Sequence, residues 1–215
     1  SSDPALTHTR HVLKKSMLAT LFLSAGVPMV VMGDETSRSQ NGSNNAYSMP
    51  RDMTVDIADS PETFMGGWAN KWILNEDEAD MREAVSVLAS IRKTYLADVA
   101  AEFFTGRVDL GTQRKDIAWF SLGGHEMTEE HWEDGDKRSL TIFIDAGPDR
   151  GLVLLLNSST EKTEFTLPDE KWGTSFRSIF DASSRVALHE PQIAQPLQKV
   201  NVEAHCAQVW LVTRH

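Results

Sequence analysis

The 215-residue sequence has one cysteine, two tyrosines and no excess of basic charge. A single thiol, Cys206, excludes an internal disulfide framework and any cysteine-based metal cluster, and it fits a reducing compartment. Acidic residues outnumber basic ones 31 to 21, a formal net charge of −10. No run of Lys or Arg interrupts that balance, so phosphate backbones and anionic membrane surfaces are poor partners. No stretch is long and apolar enough for a membrane span: residues 17–32 are uncharged, but a span needs roughly 20 apolar residues. Gly26 and Pro28 also break that run. The first residues lack a basic segment followed by an apolar one, so they do not read as a signal sequence. The start, a Ser, reads as a cut end. Internal repeats, low-complexity segments, glycine-rich phosphate loops and nucleophile-elbow motifs are all missing.

What is present falls into two halves. Asp3 or Thr7 can cap a first helix whose Leu13, Met17, Leu18 and Leu21 recur at helical spacing. Gly26 ends that helix. Residues 28–32 then read as a short, continuously apolar strand of the kind buried on both faces in parallel sheets. Residues 33–72 show no periodicity and are rich in Gly, Ser, Asn, Asp and Pro, a long loop of the sort that is often functional. Asn75 and Glu78 form a capping-box pattern ahead of a helix carrying Met81, Ala84, Val85, Leu88, Ala89 and Tyr95. Beyond residue 100 the pattern changes. Residues 116–122, 139–145, 152–157, 163–167, 176–181 and 208–213 are short strand candidates separated by turn residues, which predicts an antiparallel sandwich. Leu140, Ile142 and Ile144 alternate with Thr141, Phe143 and Asp145. One parallel strand needs neighbours that the first hundred residues do not offer, so that segment reads as the last helix-strand-helix of a larger α/β sheet or barrel.

Two acidic residues close the apolar strand. Glycoside cleavage needs two carboxyls flanking one bond, roughly 5 to 10 Å apart, and adjacent strand residues point to opposite sides. Asp34 and Glu35 are therefore not expected to be an acid–nucleophile pair; either one faces a ligand or both bond to their own loop. Gln40, Asn41, Asn44, Asn45 and Tyr47 follow as an uncharged hydrogen-bonding cluster suited to sugar hydroxyls, and Tyr47, Trp68 and Trp72 can stack on sugar rings. Tight-turn and core roles for the same residues stay open. His125, Glu126, Glu130 and His131 miss the spacing of a helical zinc motif, and read as an acidic, solvated excursion.

Two signatures resemble a known family. Gly26-x-Pro28 with Gly33-Asp34-Glu35 resembles the eighth barrel strand of the α-amylase superfamily. With Ser39-Gln40, Gly42 and Asn44-Asn45-Ala46-Tyr47, it is similar to the isoamylase-type glycogen debranching enzymes. Phe103-Phe104-x-Gly106-Arg107, Asp116-Ile117-Ala118-Trp119-Phe120, Gly124-x-Glu126-Met127-Thr128 and Trp132 resemble the start of their C-terminal domain. The resemblance implies that residues 1–100 end a catalytic TIM (β/α)8 barrel and residues 101–215 form an antiparallel β-sandwich. It implies hydrolysis of α-1,6 branch linkages in glycogen or limit dextrin by a retaining route. The catalytic carboxylates would lie upstream, leaving none in this chain. Asp34, Glu35, Gln40, Asn44, Asn45 and Tyr47 become candidate substrate-binding residues. Expected partners are glucan and the rest of the barrel, without cofactor, metal, nucleic acid or membrane, in the cytoplasm. The sequence departs from the family where Ser48-Met49-Pro50-Arg51 replaces the usual Cys-Gln-Asp continuation. Trehalose-releasing hydrolases, starch isoamylases and a non-catalytic glucan-binding or structural module are the alternatives.

Overall fold

In the computed structural model, residues 3–38, 74–99 and 102–214 are described. Helix α1 runs Pro4–Leu23, with the Asp3 carboxylate accepting from the Ala5 amide (2.9 Å) and Pro4 at the first turn. Pro fits there because that amide has no partner inside the helix. Helix α2, Glu76–Ile91, begins on the expected capping box: the Asn75 side chain accepts from the Glu78 amide and the Glu78 carboxylate accepts from the Asn75 amide, both at 3.0 Å. A wider turn of helix over Arg92–Leu96 prolongs α2.

Eight strands follow: β1 Ile117–Phe120, β2 Ser139–Asp145, β3 Arg150–Asn157, β4 Thr163–Thr166, β5 Ser175–Asp181, β6 Ile193–Ala194, β7 Lys199–Val202 and β8 Ala207–Thr213. Six make one antiparallel sheet in the order β1-β2-β3-β8-β5-β6, and β4 pairs with β7 in a second. All six expected strands of the second half are present; β6 and β7 are additional. The acidic excursion between β1 and β2 carries a five-residue helix, α3 Glu129–Glu133, capped by Thr128.

The register explains the burial. Ile142 and Ile144 on β2, Leu152 and Leu154 on β3 and Val209 on β8 share one face; Phe143, Val153 and Trp210 share the other. Both sets are buried, so β2 hides both faces. Helices cover one side: Ser16 on α1 donates to the His205 carbonyl (3.1 Å) and accepts from the Ala207 amide (3.0 Å). The small sheet covers the other side, where Asn157 and Gln208 donate to carbonyls of Val202 and Asn201 at 3.2 Å. One continuous core runs from Val12 and Phe22 through Leu88 to Phe143 and Val212.

Two expectations for the first half are corrected. The face of α1 turned to the core is Val12, Lys15, Ala19, Phe22 and Leu23; Leu13 and Met17 of the expected face are exposed, Met17 to 70%. The helix is apolar on two sides, so spacing alone selects neither. Residues 28–32 form no strand, and Met29, Val30, Val31 and Met32 are exposed. A strand is defined by ladder hydrogen bonds, and the described residues place no strand beside this one. Ala89 on α2 is likewise exposed.

Gly151 shows how tight the sheet is. A Cβ there would sit 2.7 and 2.9 Å from two ring carbons of Phe143. Gly151→Ala is expected to destabilise the fold by about 1–3 kcal/mol through overpacking, read as a lower denaturant midpoint at unchanged slope.

Candidate functional site

The chemistry-bearing residues of the first half sit on a tight turn after the exposed extended segment. Gly33 adopts φ 98°, a left-handed conformation that favours glycine. Asp34, Glu35 and Thr36 form one turn of 3-10 helix. The Glu35 carboxylate accepts from the Gly33 amide (2.7 Å) and the Thr36 hydroxyl donates to the Gly33 carbonyl (3.1 Å). Arg38 Nε donates to Asp34 at 2.7 Å, and the Arg38 amide returns to the Gly33 carbonyl at 2.9 Å. Both acidic side chains are thus bonded to their own turn. Asp34 keeps 38% of its side chain exposed.

This turn and α1 bound a groove of about 430 Å³, with Lys14, Met17, Leu18 and Leu21 on one wall and Asp34, Ser37 and Arg38 on the other. Partial desolvation in the groove, then the nearby Arg10, holds the Lys14 ammonium below the ordinary lysine value, although the residue as a whole is exposed. The Ser37 hydroxyl is buried without a hydrogen-bond partner among the described residues. The groove thus combines an apolar helix wall with a carboxylate, a guanidinium and a hydroxyl, a lining that suits an amphipathic ligand such as a sugar ring. Of the candidate substrate residues, the structure brings Asp34 and Glu35 to this turn. Gln40, Asn44, Asn45 and Tyr47, with Asn41, Trp68 and Trp72, lie outside the described residues.

The second signature forms a joint. The Asp116 carboxylate accepts from the amides of Thr105 (2.6 Å), Gly106 (2.7 Å) and Ile117 (2.8 Å) and from the Thr105 hydroxyl (3.0 Å). Burial opposes its charge, but these donors outweigh it and hold the carboxyl below its ordinary value. Phe103 is 86% exposed beside a groove of about 670 Å³ that Phe104, Asp145, Pro148 and Arg214 also line. Trp119 meets Trp132 edge-on, with ring centres 5.8 Å apart. His131 joins a capping box, its Nδ1 accepting from the Thr128 amide (3.2 Å), while Glu126 pairs with Lys115. Among the described residues no cluster of His, Cys, Asp or Glu has the geometry to hold a metal ion, and no helix is long and apolar enough to cross a membrane.

The sequence did not single out the two buried charge networks. Lys15, 1% exposed, donates to Asp80 (2.8 Å) and to the Ser184 carbonyl (2.7 Å); His11 Nε2 lies 2.7 Å from Asp80, which also accepts from the Val186 amide (2.7 Å). Arg114, fully buried, grips Asp145 with two nitrogens. The one available signal was a lysine at helical spacing from Val12 and Ala19 on an otherwise apolar stripe.

Comparison with known proteins bears on both halves. Residues 116–215 match the family described as Isoamylase, C-terminal. A glycogen operon protein GlgX homolog of Mycobacterium tuberculosis is 28% identical over 199 residues, covering 86% of this chain and 26% of the relative. A glycogen debranching enzyme of Pectobacterium atrosepticum is 32% identical over 176 residues, covering 81% of this chain and 22% of the relative. The chain thus spans about a quarter of the length of the curated relatives it matches. Among solved structures, the catalytic module of the pneumococcal glycogen-degrading virulence factor SpuA aligns over 100% of this chain and 33% of its own, with TM-score 0.62 and 13% identity. A type I pullulanase of Bacillus subtilis, solved with maltose, aligns over 99% of this chain and 24% of its own, with TM-score 0.58 and 13% identity. At that identity the likeness is one of fold.

Proposed function

We propose that this chain, whose residues 116–215 match the family described as Isoamylase, C-terminal and which is similar over most of its length to part of glycogen debranching enzymes, is the C-terminal segment of an enzyme that hydrolyses α-1,6 branch linkages in glycogen or limit dextrin. In this reading residues 1–100 complete a (β/α)8 barrel and residues 101–215 form the β domain behind it. The acid and nucleophile of a retaining mechanism stand on the part of the parent that this sequence does not contain. In this reading Asp34, Glu35, Gln40, Asn44, Asn45 and Tyr47 would bind the glucan, and the extended segment 28–32 would become a strand beside the rest of the barrel, whose sites assemble at such strand ends. The enzyme is cytoplasmic and needs no cofactor.

The family match of the β half carries the proposal. The first half supports it: with one face of α1 on the β sheet, Leu13 and Met17 remain exposed, as do Met29, Val30 and Val31. Apolar surface of this extent marks a contact surface, and here the rest of the barrel is its occupant. The test is product analysis on branched limit dextrin. The complete parent is expected to release reducing ends from α-1,6 linkages, and the 215-residue chain alone none. Release by the chain alone, or trehalose as the parent's product, would sink the reading.

A further inference from the structure

In the β half, a small pocket opens between β5, β8 and residues 184–192. Its volume is about 200 Å³, below the roughly 300–1,000 Å³ of drug-sized sites, so it admits one ring rather than a chain. Ser178, Gln208 and Trp210 form a buried floor, and Leu188, Glu190 and Gln192 an exposed rim. The floor is locked. Gln208 Nε2 donates to Asp181 (2.8 Å), Gln208 Oε1 accepts from the Trp210 indole (3.2 Å), and the Ser178 hydroxyl accepts from the Gln192 amide (2.8 Å).

The rim is set by the helices. Lys15 holds the Ser184 carbonyl, Asp80 holds the Val186 amide, and Arg185 pairs with Glu76 (3.2 Å) and Asp77 (3.1 Å). The pocket is therefore formed before any ligand arrives, which lowers the entropic cost of binding.

The lining selects the ligand class. It contains no Lys or Arg, and the Asp181 and Glu190 carboxylates disfavour anions. The described residues hold no cluster fit for a metal ion. Two polar lining side chains are exposed at the rim, Glu190, which accepts, and Gln192, which both donates and accepts, the complement of hydroxyls; the Asp181 carboxylate below them is taken up by Ser183, Cys206 and Gln208. Leu188, 72% exposed at the rim, offers an apolar face to a ring.

We propose that this pocket, which shares no lining residue with the groove at Asp34, binds one neutral sugar unit, a terminal glucosyl residue of an α-glucan. The pocket's chemistry indicates a polyhydroxy ring; the choice of glucose rests on the proposed function. The test is amide-resolved NMR of the 215-residue chain titrated with glucose, maltose and, as a contrast, myo-inositol. Saturable shifts with glucose or maltose, centred on Ser178, His189, Gln192 and Gln208, are expected. Glu190→Ala and Gln192→Ala should each weaken binding roughly tenfold, the effect of losing one or two hydrogen bonds, while Glu164→Ala on the other sheet leaves it unchanged. No shifts, shifts that survive both rim substitutions, or binding of myo-inositol alone would overturn the proposal. Its failure leaves the debranching reading standing, because that is judged by the products of the complete enzyme.

Discussion

Arg114→Met is expected to lower the melting temperature by roughly 6–20 °C, the equivalent of losing about 3–5 kcal/mol in a chain of this size. Arg114 has no exposed side-chain surface. Its Nε and Nη2 reach both oxygens of Asp145 at 3.0 and 3.1 Å, a bidentate grip. Its remaining donors serve the carbonyls of Trp172 (3.1 Å) and Gly147 (2.9 Å), and the guanidinium lies 5.3 Å from the centre of the Phe143 ring. Methionine fills similar volume but leaves a largely buried carboxylate and two carbonyls without these donors. Each such group bears its full desolvation cost. Thermal unfolding followed by circular dichroism measures the loss. If the burden is the stranded charge, adding Asp145→Leu should recover most of it; a double variant as unstable as the single one would refute that cause.

Asp80→Asn is expected to cost about 3–5 kcal/mol at neutral pH, because it strands the Lys15 ammonium in the core. Burial by itself would raise the Asp80 carboxyl. The hydrogen bonds from Lys15, His11 and the Val186 amide outweigh burial and hold it below the ordinary aspartate value. The folded state therefore binds a proton at Asp80 less readily than the unfolded chain. The stabilisation is complete above the unfolded value, near 3.9, and is lost as pH falls through the lower folded value. Denaturant midpoints of the two proteins should differ most at neutral pH and converge in acid. A gap that stays constant to pH 3 would show that geometry rather than charge carries the effect.

The sequence made the β half legible where alternation and turn residues act locally. Leu140 to Asp145 alternate and lie within β2, and the Asn75 and Glu78 pair caps α2 by the expected bonds. β7 escaped because Lys199 to Val202 is a four-residue strand whose lysine and asparagine dilute the pattern. The segment 28–32 reads as a strand from composition, yet a strand is a property of two chains, and its own apolar content supplies no partner. For α1, the exposed stripe of Leu13 and Met17 and the buried stripe of Val12 and Ala19 are equally apolar, so burial was decided by which side the β sheet took. The Asp34-Glu35 turn was legible as structure: both residues bond within it, one of the two roles that adjacent carboxylates allowed. Arg114 and Lys15 gave no comparable signal, since a buried cation is recognisable only beside partners brought from distant parts of the chain.

The contact between α1 and β8 sets a timetable for biosynthesis. Ser16 bonds to His205 and Ala207 across 189 and 191 residues of sequence. The first helix leaves the ribosome long before its partners are made. At roughly 5–20 residues per second, it waits on the order of ten seconds or more before these bonds can form. Contacts so distant in sequence also slow folding itself. A stop codon before β8 would deny the helix these bonds however intact the preceding sequence remained.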